Sequence, residues 1–275
     1  MVLALVFIST GCSPVKKAIQ IKGSDTMVNL AQAWAEIYLN NNPTSNLAVN
    51  GGGSGTGVSA LIAGVADIAE CSRDMQPKEI KMAEANGIKV NRIHVANDGV
   101  AVIVNPKNPV NKLTLQQLSG IFSGKITNWQ QVGGPNLKIV ALSRERNSGT
   151  HVFFLEHVVK LGEKKSPNEF APEVLMMPSS QAIVEEIDSN TSAIGYIGLG
   201  YLGPKEKALA VAKNAQSAYV LPSVATVLSK QYPIARDLLF YTNGVPTGET
   251  KSFVDFALSK EGQKIVLKMD FVPIK

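Results

Sequence analysis

Hydroxyl, glycine and arginine side chains gather where a strand pattern gives way to a helix pattern. Gly23-Ser24-Asp25-Thr26 follows the first apolar alternation and opens the first long helical stretch. Gly51-Gly52-Gly53-Ser54-Gly55-Thr56-Gly57 stands at the second such junction, and Ser143-Arg144-Glu145-Arg146-Asn147-Ser148-Gly149-Thr150 at another. Ser72-Arg73 ends a further short strand, Asp67-Ile68-Ala69. This chemistry suits capture of a small anion. Helix N-termini expose unbonded N–H groups and the positive end of the backbone dipole. Glycine lets the backbone approach a ligand closely, hydroxyls add directed donors, and arginine offers a planar fork to phosphate or carboxylate oxygens. Any one loop alone reads as an ordinary cap, because Ser, Thr and Asp are common N-cap residues. Three loops, two of them with arginine close by, read as a site.

The elements that must position these loops alternate along the chain. Residues 18–22 alternate like a strand, and residues 26–41 put Met27, Leu30, Ala31, Trp34, Ile37 and Tyr38 on one helical face. A strand at 47–49, a helix through Val58, Leu61, Ile62 and Val65, a strand at 67–69, a helix over 76–86 closed by Gly87 and a strand at 89–95 complete one unit. Asn97-Asp98-Gly99 breaks the pattern before a buried-type strand at 100–104. A second unit follows, with helices at 113–122, 150–161 and 179–189 and strands at 137–142 and 193–197. A strand at 237–241 and a helix over 251–267 close the chain. The β-α-β order implies an α/β fold with a mostly parallel sheet, whose ligands bind beyond the carboxyl ends of the strands.

Composition narrows the function classes. The chain has 275 residues, 45% hydrophobic and 18% charged, enough for a large core and too apolar for a disordered chain. Its net charge of +5, from 27 basic and 22 acidic residues, is weak support for nucleic-acid binding without clustering on one face. Two cysteines exclude a disulfide framework. Gly198-Leu199-Gly200-Tyr201-Leu202-Gly203 spells a dinucleotide fingerprint, but Pro204 follows at once and no helix opens there. Ser54 and Ser148 fail the nucleophile-elbow pattern, with Thr56 and Thr150 where glycine belongs. His94, His151 and His157 are too scattered for a metal cluster. The sequence therefore implies no enzyme, no metal and no cofactor. Cys71 reads as a small buried residue, and Trp34 and Trp129 as packed aromatics.

At the start, MVLALVFI is too short to span a bilayer and fits the apolar core of an export signal. Ser9-Thr10-Gly11-Cys12 then resembles the bacterial lipoprotein signal, in which the cysteine is lipidated and becomes the N-terminus. No basic residue precedes the apolar run, and Ser9 stands where that signal usually has an aliphatic residue.

Taken together, Ile21-Lys22-Gly23-Ser24-Asp25-Thr26-Met27, Gly52 to Gly57, Ala66-Asp67-Ile68-Ala69 with Ser72-Arg73, and Arg144 with Ser148-Gly149-Thr150 resemble the periplasmic phosphate-binding protein family, the substrate-binding components of phosphate ABC transporters. Asp98 to Pro106, Ile126-Thr127-Asn128-Trp129, Gly195-Tyr196, Tyr232-Pro233-Ile234-Ala235-Arg236 and the closing helix also look like that family, in order from about residue 19 onward. The resemblance implies a two-lobed periplasmic-binding-protein fold of type II with two hinge crossings. It implies a signal or anchor segment at residues 1–18, lobe 1 from residues 19–97 plus 231–275, and lobe 2 from residues 98–230. Phosphate would bind through Ser24, Asp25, Thr26, Ser54, Ser72, Arg73, Arg144, Ser148, Gly149 and Thr150. The protein would be an exported monomer in the periplasm or on the outer face of the cell membrane, anchored through a lipid on Cys12, with ABC permease subunits as partners and no nucleic acid.

One departure stands out. Some members of the family carry an aspartate where this chain has Ser72, and it accepts the proton that phosphate retains and sulfate lacks. Another branch resembles this chain in using a Ser-Arg pair. Asp25 is the carboxylate expected to take that proton here, unless it serves only as the helix cap. The same scaffold holding sulfate, molybdate or tungstate, a phosphate-binding sensor or adhesion protein, and a hydrolase using Ser54 or Ser148 are the alternatives.

Overall fold

The computed structural model describes residues 17–274. The first elements are β1 (Ile19–Gly23), α1 (Val28–Asn41), β2 (Leu47–Asn50), α2 (Ser54–Ile62), β3 (Ile68–Cys71), α3 (Pro77–Ala85) and β4 (Val90–Val104). The middle of the chain forms β5 (Lys112–Thr114), α4 (Leu115–Phe122), β6 (Val140–Arg144), α5 (Gly149–Phe154), β7 (Leu175–Met177), α6 (Ser180–Ser189) and β8 (Ala193–Gly198). The last part holds β9 (Lys207–Ala208), β10 (Ala210–Ala212), α7 (Val224–Leu228), β11 (Ala235–Asn243), α8 (Gly248–Leu258) and α9 (Lys260–Lys268).

The main sheet runs β2-β1-β3-β11-β4-β8-β6-β7. At one end β2, β1 and β3 are parallel, and at the other β8, β6 and β7 are parallel. Parallel pairing requires crossover helices and brings the carboxyl ends of neighbouring strands to one edge. Between these two groups, β11 and β4 form a long antiparallel ladder.

Residues 90–99 of β4 pair with β11, and residues 100–104 pair with β8. One strand thus passes from the first half of the molecule to the second. The sequence pattern suggests a break at Asn97-Asp98-Gly99, but the strand runs straight through. A carboxylate is tolerated there because its cross-strand partner is Arg236 and its other oxygen accepts the Leu199 N–H at 2.9 Å.

Two other expectations differ in detail. The helix expected over 150–161 is α5 followed by a widened turn at Leu155–Val159, where Lys160 N bonds Leu155 O at 2.8 Å. The helix expected over 251–267 is divided at Ser259, whose extended backbone (ψ 166°) ends α8 while its hydroxyl accepts Gly262 N and caps α9.

Each half has its own aromatic anchor. Trp34 of α1 is fully buried against Phe240, and its indole N–H donates to Gly262 O at 2.8 Å. In the second half Phe154 stacks on Tyr196 with ring centres 3.8 Å apart, Phe122 meets both edge-on, and buried Trp129 donates to Ser192 O. Burying rings of this size is worth roughly 2–3 kcal/mol each and sets where the strand ends lie. Cys71 is buried. Cys12 and its signal lie outside the described residues. No helix among the described residues is long and apolar enough to cross a membrane.

Candidate functional site

The strand ends of the two halves meet, and their hydroxyls form one buried cluster. Ser24 leaves β1, Thr26 leads into α1, Ser54 is the first residue of α2, and Ser72 follows β3. Thr150 is the second residue of α5 in the opposite half. All five are buried. Ser24 Oγ donates to Ser72 Oγ at 3.0 Å, and Ser72 N donates to Ser54 Oγ at 3.1 Å. Thr26 Oγ1 and Thr150 Oγ1 are 2.8 Å apart, joining residues 124 positions apart in the chain.

Two glycines make this approach possible. Gly53, at φ 98°, gives α2 its entry turn from a conformation that side chains rarely adopt. At Gly149, a methyl group would overlap Ser54 Oγ and lie 2.6 Å from Ser72 Oγ. The halves are also joined at the rim, where Gly55 N donates to Asn147 O (2.9 Å) and Asn147 Nδ2 to Gly52 O (2.8 Å).

Two buried arginines flank the cluster. Arg144, the last residue of β6, is held by the β7–α6 junction: Nε donates to Met177 O, Nη2 to Pro178 O, and Nη1 to Ser180 Oγ. Its Nη1 also donates across the cleft to Asp25 Oδ2 at 2.6 Å. The same oxygen accepts Ser180 N and Ser180 Oγ at 3.0 and 2.8 Å. The expected acceptor of a ligand proton is therefore engaged, on this oxygen, with the other half of the molecule. Tyr201 adds a further tie by donating to Asp25 O at 2.8 Å.

Arg236, near the start of β11, is the second cation. Nε and Nη2 donate to Asp98 Oδ2 at 3.0 and 2.7 Å, and Nη1 donates to Ser72 O at 3.0 Å. Nη2 also reaches Thr26 Oγ1 at 3.3 Å. Thr26 Oγ1 thus accepts from Arg236 and shares a second hydrogen bond with Thr150 Oγ1, in which either hydroxyl can donate. Burial raises the Asp98 carboxyl and lowers the Arg236 guanidinium, each opposed by the other's charge.

Not every expected residue converges. Arg73 turns away and forms a two-pronged pair with Glu79, both bonds 2.7 Å, plus a bond to Asp74 O. Glu79 belongs to the Gln76 capping box of α3, so Arg73 secures that helix start rather than the hydroxyl cluster. Ser148 is buried beside the cluster, with its oxygen accepting Thr150 N and His151 N as the α5 cap. Behind Arg144, Ser143 Oγ links His151 Nδ1 (3.0 Å) and Tyr196 OH (2.5 Å), and burial lowers His151 to about 4, keeping it neutral. Among the described residues, no group of three His, Cys, Asp or Glu side chains is placed to hold a metal ion.

Arg236, Asp98, Ser180 and Tyr201 are absent from the expected site. A charged residue inside the apolar run of β4 and a second at the start of β11 are signals that could have found the Asp98–Arg236 pair. Nothing local marks Ser180 or Tyr201.

Several known proteins are similar to this chain. A profile of the PBP superfamily domain matches residues 9–261. The phosphate-binding protein PstS of Pseudomonas aeruginosa is 32% identical over 269 residues, spanning 92% of this chain and 81% of its own. PstS of Bacillus subtilis is 32% identical over 258 residues, spanning 94% and 81%. A phosphate ABC transporter substrate-binding protein of Clostridium perfringens, solved with phosphate bound, superposes with a TM-score of 0.84 at 32% identity, covering 94% of this chain and 100% of that one. With matches of this extent and a shared two-lobed architecture, the chain belongs to the PBP superfamily and, within it, to the PstS-like phosphate-binding proteins.

Proposed function

We propose that this chain captures inorganic phosphate between its two halves and hands it to the permease of an ABC importer. One observation carries the reading: five buried hydroxyls from both halves, flanked by two arginines that are each matched by a carboxylate. A tetrahedral oxyanion has lone pairs for many donors, and the hydroxyls that bond one another here can turn to it. Each arginine is balanced by its own carboxylate, so the oxyanion is held mainly by neutral donors in a water-excluded cleft, where such bonds are strong. Ser24, Thr26, Ser54, Ser72 and Thr150 are the proposed hydroxyl donors, with Ser148 and Gly149 shaping the α5 side. Arg144 and Arg236 supply the positive field. Asp25 is the clasp that draws Arg144 and Ser180 across when the cleft closes. Arg73 has no part in this proposal.

The lobes are proposed to be residues 19–97 plus 231–275 and residues 98–230, hinged where β4 passes between them near Asn97-Asp98 and where the chain returns near Lys230-Tyr232. Closure desolvates the ion, and opening returns it to solvent, with no bond made or broken. Export and a lipid on Cys12 would hold the monomer at the membrane face near its permease. Ser9-Thr10-Gly11-Cys12 after an apolar run supports this. Cys12→Ser is expected to abolish labelling by a fatty-acid probe in a bacterial host.

Calorimetry of the mature chain tests the main reading. One phosphate should bind, undisturbed by equimolar sulfate or molybdate. Tighter binding of either competitor would assign the scaffold to that oxyanion instead.

A further inference from the structure

Glu70 is 0% exposed, and neither of its carboxyl oxygens has a hydrogen-bond partner among the described residues. It is the third residue of β3, between Gly23 of β1 and Phe240 of β11 in the sheet. Strand alternation puts its side chain on the face of Ile68, toward the core of Ile21, Met27 and Phe240, while Ala69 and Cys71 face the opposite core. An ionised carboxylate without a partner is not tolerated in such surroundings. Burial pushes Glu70 up to about 8.

The position bears directly on the hydroxyl cluster. Glu70 O accepts Ser24 N at 2.9 Å, and the chain reaches Ser72 two residues later. Burial raises the Tyr201 phenol, and charge on Asp25, Glu70 and Asp98 pushes in the same direction. Tyr201 in turn donates to Asp25 O, and the Gly23–Glu70 pairing with the Ser24 N bond to Glu70 O sets Glu70 directly against the turn carrying Ser24, Asp25 and Thr26. The charged and titratable groups on the surrounding elements are Tyr201 after β8, Asp25 between β1 and α1, Asp98 in β4, Arg236 in β11, Arg144 in β6, and Cys71 and Arg73 beside it. Every one of these arginines is already committed to a carboxylate: Arg144 to Asp25, Arg236 to Asp98, and Arg73 to Glu79.

We propose that Glu70 works as a neutral acid beneath the anion site, so that the protein holds its proton and its phosphate together and gives up both together. The inference rests on the phosphate reading above. When Glu70 passes its proton to solvent, a negative charge appears one layer below the hydroxyls, in a medium that screens it poorly. Bound anion opposes that loss, and by reciprocity the loss opposes the anion.

Phosphate calorimetry from about pH 6.5 to about pH 9.5, on wild type, Glu70→Gln and Glu70→Met, tests it; the wild type should lose up to about tenfold in affinity per pH unit above Glu70's titration, relative to either variant. All three proteins meet the same anion, so the anion's own titration cancels. In buffers of different ionisation enthalpy, the wild type should take up an additional fraction of a proton on binding that the variants lack. Carbon NMR of the Glu70 carboxyl should show titration near 8, moved upward by phosphate. Stability gives a phosphate-independent reading. The folded value lies above the ordinary value of 4.5, so at low pH the ionisation of Glu70 takes nothing from stability. It costs progressively more as pH rises from 4.5 to about 8, and the urea midpoint of Glu70→Met should draw ahead of wild type over that window. Parallel binding profiles in the three proteins, or a carboxyl titrating near 4.5, would overturn this inference and leave the phosphate reading intact. A wild type that binds no phosphate at any pH would remove both.

Discussion

Two arginine–carboxylate pairs touch the same cluster, and they are built differently. Asp98 and Arg236 face each other across the β4–β11 ladder, with side chains 0% and 2% exposed. Asp25 and Arg144 come from opposite halves, and the Asp25 side chain is 18% exposed. The first pair is fixed by strand register and persists whenever those strands are paired. The second exists only while the halves are together. A buried ion pair is a poor source of net stability, because desolvation offsets most of the attraction, yet it is costly to break on one side only. Placed inside a ladder, such a pair specifies a structure. Placed across a cleft, with an edge near water, it becomes a contact that can be made and unmade.

The strongest way to break this comparison is Arg236→Ala. It leaves Asp98 buried and unpaired and should cost about 3–5 kcal/mol in urea unfolding. A cost below about 1 kcal/mol would mean that the ladder does not depend on the pair. Arg144→Ala should weaken phosphate binding by about two orders of magnitude or more, at a smaller cost in folding, because Asp25 can return to water when the halves part. Normal calorimetric affinity would remove Arg144 from the site. Gly149→Ala should wedge the cleft, lowering affinity about tenfold while folding stability stays within about 1 kcal/mol. Small-angle scattering should then show less compaction on adding phosphate. Asp25→Asn should weaken phosphate about tenfold and leave the phosphate-to-sulfate ratio unchanged, as expected of a clasp. A selective gain for sulfate would instead make Asp25 the reader of the phosphate proton. Arg73→Ala should change affinity by less than about twofold, since its guanidinium serves Glu79.

The legible part of the site was the local part. Ser24, Thr26, Ser54, Ser72 and Thr150 stand where a strand turns into a helix or the chain leaves a strand, and that chemistry is written in adjacent residues. Their convergence follows once parallel strands align their carboxyl ends. The direction Arg73 takes is not legible, because sequence adjacency to Ser72 says nothing of it. A charged neighbour six positions later, at the start of α3, decides where its side chain goes. Asp98 and Arg236 are 138 positions apart, and only the β4–β11 register brings them together. Asn97-Asp98-Gly99 reads as a break in the pattern for the same reason: the opposing charge that lets an aspartate stay in a buried strand is invisible locally. The split of the last helix at Ser259 was available in principle, since a serine three residues before Gly262 reads as a cap.

The long antiparallel ladder has a mechanical meaning. β4 and β11 lie side by side, and the Asp98–Arg236 pair pins them at the same height. Sliding one past the other would break every rung, so the ladder is a stiff base up to Gly99. On the proposed lobe division, parting of the halves would bend β4 just beyond that point, where it leaves β11 for β8, like a page turning at the edge of its binding. Two reporters on opposite rims, such as at Thr56 and Arg146, would follow that bend and turn the protein into a gauge of its own ligand.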